Sequence, residues 1–445
     1  MKYRAIFRIY GLILANMLLL MGGQLAYLYL VGPISMEDGR PMTLPEIPLL
    51  GFLIIILMLA GSIVIAAILQ RKPLPIRYVT VSKNNELKLS KYEDTEKKTP
   101  QYRPIYPGQF SEKTGERYYD RYTDKKELNW GGDESRPYVE NRKIGSFVKR
   151  ELQLPSSGFL FFTFLFSLAL GLVSLGERGP FIYLFPLAFV VAFTFPGLIW
   201  VSYIYDRSIK SPEPQRLVLI TLAWGMFSTL PASLLNDTGA RLIEVNQNAL
   251  LGNGDFGTTE LILVSVIAPF VEELLKPIGL IFVMKRLRTP YEGVLYGVAC
   301  GMGFAIIENL LYELFILIWY GADAWTINAF ARGVGSTVLH AVGPASVGYA
   351  IALSNQMQIP KNKTLPLAYL FGFIMHALWN GFATMPFMVD GAIWVYVSYS
   401  LIILMAIFCL IFIVKIHEYG KEYSQIELEA SKFEDDEEEA TNSGH

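Results

Sequence analysis

The feature that most limits what this chain can become is a recurrence of apolar blocks, each about 20 to 30 residues long, along most of its length. At about 1.5 Å of rise per residue, a helix of that length matches the roughly 30 Å hydrocarbon core of a bilayer. Backbone in lipid must satisfy its own hydrogen bonds, which a helix does. With 52% hydrophobic residues among 445, the chain is too apolar for an ordinary soluble protein. The expected fold class is therefore all-α, a polytopic membrane helix bundle. The blocks predict about ten transmembrane helices, with soft edges near 6–31, 46–70, 157–176, 180–204, 215–235, 258–284, 291–320, 326–354, 364–387 and 391–415. The first block is too long for a signal-peptide core and no small-residue cleavage pattern follows it, so it reads as a retained span.

The distribution of charge tests that count. Lys2, Arg4 and Arg8 precede the first span, and Arg71, Lys72 and Arg77 follow the second. Arg207, Lys210 and Arg216 lie between the fourth and fifth, Lys285, Arg286 and Arg288 after the sixth, Lys361 and Lys363 after the eighth, and Lys415 after the tenth. All fall on one side if both termini are cytoplasmic, as the positive-inside rule requires. A multi-pass protein of the cell (plasma) membrane is expected, with the lipid bilayer as its surroundings and no nucleic-acid partner. The two cysteines, Cys300 and Cys409, lie inside expected spans, which argues against a disulfide framework or a thiolate metal site.

Four regions follow. Residues 1–70 hold two N-terminal spans. Residues 71–156 form a polar cytoplasmic insert, with too few apolar residues for a sizeable core, and read as a flexible linker. Residues 157–415 form an eight-helix membrane domain. Residues 416–445 carry FEDDEEEA and read as an acidic, disordered tail.

Within the membrane domain the polar residues stand out. Glu272 and Glu273 lie side by side in APFVEELLKPIGLIFV, although one carboxylate at the bilayer centre costs on the order of 3 kcal/mol. Glu308, His340 and His376 lie in the next three apolar segments. Counted from the cytoplasmic ends of their spans, all fall roughly 18 to 26 Å deep, one layer near the midplane. At about 100° per residue Glu272 and Lys276 share a stripe and Glu273 points away, so Lys276 is placed to pair with Glu272. Gly293, Gly297, Gly301, Phe304 and Glu308 share one side of the seventh helix, a pattern that favours close helix packing. His376 and Asn380 are one turn apart on a common face. Asn309 and Glu313 read as structural or pore-lining, Glu292 and Arg332 as snorkelling, and His417 and His445 as solvated.

One such residue alone is as often a helix–helix hydrogen bond or part of an ion path. The full layer fits hydrolysis, with a carboxylate as general base to water and imidazole or amide groups stabilising the oxyanion. Two Glu and two His (Glu272, Glu308, His340, His376) are also donors that a divalent metal such as zinc accepts, although no HExxH or other close-spaced ligand pair marks such a site. A proton- or ion-coupled transporter and a non-catalytic membrane assembly or immunity protein stay open as alternatives.

At these residues the chain resembles the PrsW intramembrane proteases. EELLK (Glu272 to Lys276) matches their EExxK motif, FAIIE (Phe304 to Glu308) their FxxxE motif, and His340 with HALWN (His376 to Asn380) their later histidine motifs. The likeness covers about 215–415 and leaves the first two spans and the insert unexplained. It implies a peptidase related to the CAAX prenyl protease and bacteriocin-processing superfamily. It further implies that Glu272 acts as base on water, that His376 and Asn380 form the oxyanion site, and that Glu308 stands where prenyl proteases carry a histidine. The implied substrate is a membrane-anchored protein, anti-sigma-factor-like by analogy.

Overall fold

The computed structural model describes residues 4–31, 48–69, 79–81, 87–89, 154–176, 183–207, 215–245, 261–287, 289–357 and 359–442. Almost all of these are helical. The helices are α1 (Arg4–Val31), α2 (Pro48–Leu69), α3 (Ser157–Gly176), α4 (Phe185–Asp206), α5 (Gln215–Val245), α6 (Ala268–Leu275), α7 (Pro290–Ala331), α8 (Thr337–Met357), α9 (Lys361–Met388) and α10 (Ala392–Asn442). Two three-residue strands, β1 (Val79–Val81) and β2 (Leu87–Leu89), pair antiparallel. The chain divides into two compact units: Met1–Leu69 with Lys149–Glu427, and Gln70–Val148 with Leu428–His445. Apart from the hairpin and residues 154–156, the polar insert lies outside the described residues, so its expected flexibility does as well.

Seven helices among the described residues are long and apolar enough to cross a membrane. The expected seventh and eighth spans both fall in the stretch Pro290–Asn355, and the helix breaks between them at Gly321. Its φ of 82° is open to glycine and unfavourable for most residues, so α7 has two arms. A π turn, Arg332–Ser336, joins its second arm to α8. The expected sixth span is segmented: π-helical Leu263–Ile267, then α6, then 3₁₀-helical Lys276–Arg286. Pro277 explains part of this, because it has no N–H to return to the Glu273 carbonyl. α2 contributes the shorter apolar stretch Ile56–Ile65. At the other end the backbone of α10 stays helical through the acidic stretch to Asn442, where a disordered tail is expected. Glu is the commonest residue there, and it is a good helix former.

The first arm of α7 is the axis of the larger unit. Val294, Leu295, Tyr296, Val298, Ala299, Met302, Ala305, Ile306 and Ile307 are fully buried, as expected of a helix that is apolar all round. Its glycines make this possible. A Cβ on Gly301 would run into the His340 carbonyl of α8, and one on Gly303 would run into the Leu222 carbonyl of α5. Small residues thus let two backbones close on α7 from different sides. α1 packs on α5, where Gln24 donates to Ser233 at 2.8 Å.

Candidate active site

α6, α7, α8 and α9 each bring a part of the predicted polar layer to one place. The two glutamates of α6 are both buried, Glu272 at 7% and Glu273 at 2% exposure. Lys276, at the first residue of the 3₁₀ segment, is fully buried. Its ammonium has three N–H donors and three acceptors around it. Glu273 Oε1 is at 2.7 Å, His340 Nδ1 at 2.9 Å and Glu272 Oε2 at 3.3 Å. The expected pair with Glu272 is therefore the longer contact and Glu273 the shorter. Positions three and four residues back both neighbour Lys276 on an α-helix, so its long side chain reaches both carboxylates. The ammonium also lies 4.2 Å from the centre of the Phe304 ring, a cation–π contact that offsets lost hydration.

His340 on α8 stands between two charges. Its Nδ1 faces Lys276 and its Nε2 faces Glu308 of α7, with Ser336 Oγ at 3.3 Å from the same nitrogen. An ammonium only donates and a carboxylate only accepts, so this pattern defines a neutral ring protonated at Nε2. His376 on α9 has the opposite arrangement. Its Nδ1 donates to Glu273 Oε1 at 2.9 Å, which turns Nε2 to Glu272 Oε2, 3.8 Å away. The two imidazoles meet edge to face at 5.2 Å. Where α8 and α9 cross, a Cβ on Gly343 would run into Glu273 Oε2, and one on Gly372 would lie 2.5 Å from the Gly343 Cα.

The structure therefore brings Glu272, Glu273, Lys276, Phe304, Glu308, His340 and His376 together. Asn380 lies a turn beyond, and its Nδ2 donates to the Val264 carbonyl in the π-helical segment at 2.9 Å. One amide proton thus serves the irregular backbone of the sixth helix. Donor atoms of Glu272, His340 and His376 lie within 4.8 Å of one another, a carboxylate and two imidazoles. That donor set suits a zinc-type cation, and the Glu273–His376 contact is the kind of outer-shell bond that orients a ligating histidine. Three carboxylates face one ammonium and one guanidinium here, an excess of negative charge that also suits a cation. Glu308 stands apart from this trio, since its carboxylate is held by Arg332 and His340.

Two partners were not expected from the residues. Arg332 does not snorkel: its Nη2 is 2.7 Å from Glu308 Oε2, at the site. Asn236 of α5 donates to Glu272 Oε1 at 3.5 Å. No periodicity marks either, although a lone arginine directly before the glycine pair Gly333 and Gly335 was a usable signal. Asn309 and Glu313 are buried and bonded as structural residues, to Thr337 at 2.9 Å and by Trp325 at 3.1 Å. His417 is buried between Tyr203 and Tyr291 rather than solvated, and His445 lies outside the described residues.

Residues 213–411 match the PrsW family intramembrane metalloproteases. The chain is 30% identical over 190 residues to Protease PrsW of Shouchella clausii, covering 42% of this chain and 79% of that protein. It is 28% identical over 218 residues to Protease PrsW of Oceanobacillus iheyensis, 46% of this chain and 91% of that protein. For Protease PrsW of Bacillus subtilis the values are 26% over 207 residues, 44% and 86%. No solved structure matches. The matched region begins just before α5 and ends within α10, so it contains every residue of the cluster and excludes α1 to α4.

Proposed function

The chain belongs to the PrsW family of intramembrane proteases, and on that premise we propose that it hydrolyses a peptide bond of a membrane-anchored protein with water activated by Glu272. The observation that carries this is the convergence of Glu272, His340 and His376 from three helices at a buried, charge-linked point.

Glu272 Oε2 and His376 Nε2 face each other as two acceptors 3.8 Å apart. A water molecule bridging them donates to both. Glu272 takes one of its protons as the oxygen attacks the scissile carbonyl carbon, and the C–O bond forms. Lys276 supplies the nearest positive charge to the developing oxyanion. When the C–N bond breaks, the proton on Glu272 passes to the leaving amine. Glu273 keeps His376 in register and holds Lys276 in place.

The donor trio supports a second reading, in which Glu272, His340 and His376 would hold a divalent cation, His340 giving up its Nδ1 contact with Lys276. Such a cation would supply Lewis acidity there. Glu273 then orients His376 as a ligand. Metal analysis of the purified chain separates the two readings: a stoichiometric metal lost in the H376A variant supports the second.

We also propose the remaining features of the sequence reading: about ten spans with both termini cytoplasmic, placement in the plasma membrane, and an anti-sigma-factor-like substrate by resemblance. The test of the activity is co-reconstitution in liposomes with tagged single-span reporter proteins. The expected result is reporter cleavage by the wild type and a loss of about a hundredfold or more in an E272Q variant that inserts normally. Undiminished cleavage by E272Q overturns the assignment of the base.

A further inference from the structure

We infer that Arg332 is a positioning residue of this site: through Glu308 it holds the His340 ring with its Nε2 proton turned to Glu308 and its Nδ1 turned to Lys276. The inference rests on the hydrolytic reading of the cluster and adds a part that no family motif in this chain contains.

The guanidinium makes two bonds at once. Nη2 reaches Glu308 Oε2 at 2.7 Å and Nε donates to Asn309 Oδ1 at 2.9 Å. The Tyr312 ring lies 4.1 Å from its central carbon. Because a guanidinium can only donate, it fixes the orientation of the Asn309 amide, and Asn309 Nδ2 then donates to Thr337 Oγ1 at 2.9 Å. Two tethers therefore leave one planar group and both end on α8. One arrives at His340 through Glu308, the other at Thr337 through Asn309, one helical turn away. A lysine keeps a positive charge beside Glu308 and loses only the second bond, to Asn309.

The backbone explains how Arg332 gets there. Eight residues separate it from His340, which in a regular α-helix leaves the two about 80° apart around the axis. The intervening π turn, Arg332–Ser336, absorbs about one residue and brings them close to one face. That turn is held from outside. A Cβ on Gly333 would run into the Phe164 ring of α3, and one on Gly335 would lie 2.6 Å from the Trp379 ring of α9. Packing, not solvent, thus sets the direction of the arginine, whose side chain is only 13% exposed.

The consequence for chemistry is specific. With the proton on Nε2, His340 presents a lone pair to Lys276 and takes the third of its N–H groups. With the proton on Nδ1, two N–H groups would face each other, and the ammonium would be displaced from between Glu272 and Glu273. Glu308 chooses the first form, and Arg332 keeps Glu308 in place.

The test uses the full chain in lipid nanodiscs with ring-¹⁵N histidine. The chain has four histidines, and an H340Q sample assigns the His340 signals. In the wild type the His340 signals are those of the Nε2–H form. R332Q is expected to show a mixture of both forms, and R332K to keep the wild-type form. With a single-span reporter cleaved by the wild type, R332Q should lower kcat about tenfold or more with KM within about twofold. R332K should keep at least about a third of kcat. In an E308Q background, R332Q should cost less than about twofold further. An unchanged His340 spectrum in R332Q overturns the inference, as does an equal loss of kcat in both backgrounds. If the wild type cleaves no reporter, it is the hydrolytic reading that fails, and the ring-nitrogen spectrum still judges the tether.

Discussion

Glu308 and Glu313 lie five positions apart on the same arm of α7, and their surroundings are opposite. Glu308 meets an arginine and a histidine, and through the histidine reaches a lysine and two further carboxylates. Glu313 is fully buried and accepts one bond from the neutral indole of Trp325 at the turn of the same helix pair. The Trp325 ring is in turn wedged against Phe185, Phe189 and Gly171. A buried acid in a membrane helix is therefore not in itself a mark of chemistry. It becomes one when several helices converge on it with groups that exchange charge or protons.

This contrast can be broken at either end. The largest effect is expected for K276M, which leaves Glu272 and Glu273 without their shared ammonium. Removing one partner of a buried ion pair costs about 3–5 kcal/mol, so the thermal midpoint in detergent should fall sharply and cleavage should vanish. Next comes E272Q, nearly isosteric, for which reporter cleavage should fall about 10² to 10⁴-fold, the usual worth of a general base, with a near wild-type melt. If both variants melt and cleave like the wild type, the cluster is ornamental. E313A should remove the partner of a buried indole N–H and cost about 1–3 kcal/mol, visible in the melt, while cleavage per folded molecule stays within about threefold. A loss of cleavage without a loss of stability would erase the distinction between the two acids. The smallest effect is expected for Q24A in α1, remote from the site. Losing its bond to Ser233 should cost about 1 kcal/mol and leave kcat unchanged.

Much of this organisation was legible before any coordinates. Glycines four apart at Gly293, Gly297 and Gly301 pointed to a tight helix seam, and they face the α8 carbonyls of Gly348, Pro344 and His340. Glu272, Glu273, Glu308, His340 and His376 shared a depth, and they meet. What stayed hidden depends partly on irregular backbone. A regular 100° step paired Lys276 with Glu272 and sent Arg332 toward an interface. Lys276 instead reaches both carboxylates of its own helix, and the π turn at Arg332 brings the arginine to Glu308. The break at Gly321 falls in the short loop expected between the seventh and eighth spans.

Length and polarity of the apolar blocks were enough to specify a helical membrane protein, because lipid leaves the backbone no other partner and sets the distance to be crossed. The order of acidic and imidazole residues along the chain was enough to specify which helices carry the chemistry. Which nitrogen of His340 and His376 bears the proton, which carboxylate holds Lys276, and that an arginine stands behind Glu308 are outcomes of packing. Those choices are made by contacts of a few ångströms between residues up to a hundred positions apart, where one residue more or less in a helical turn redirects a side chain and no local pattern records the change.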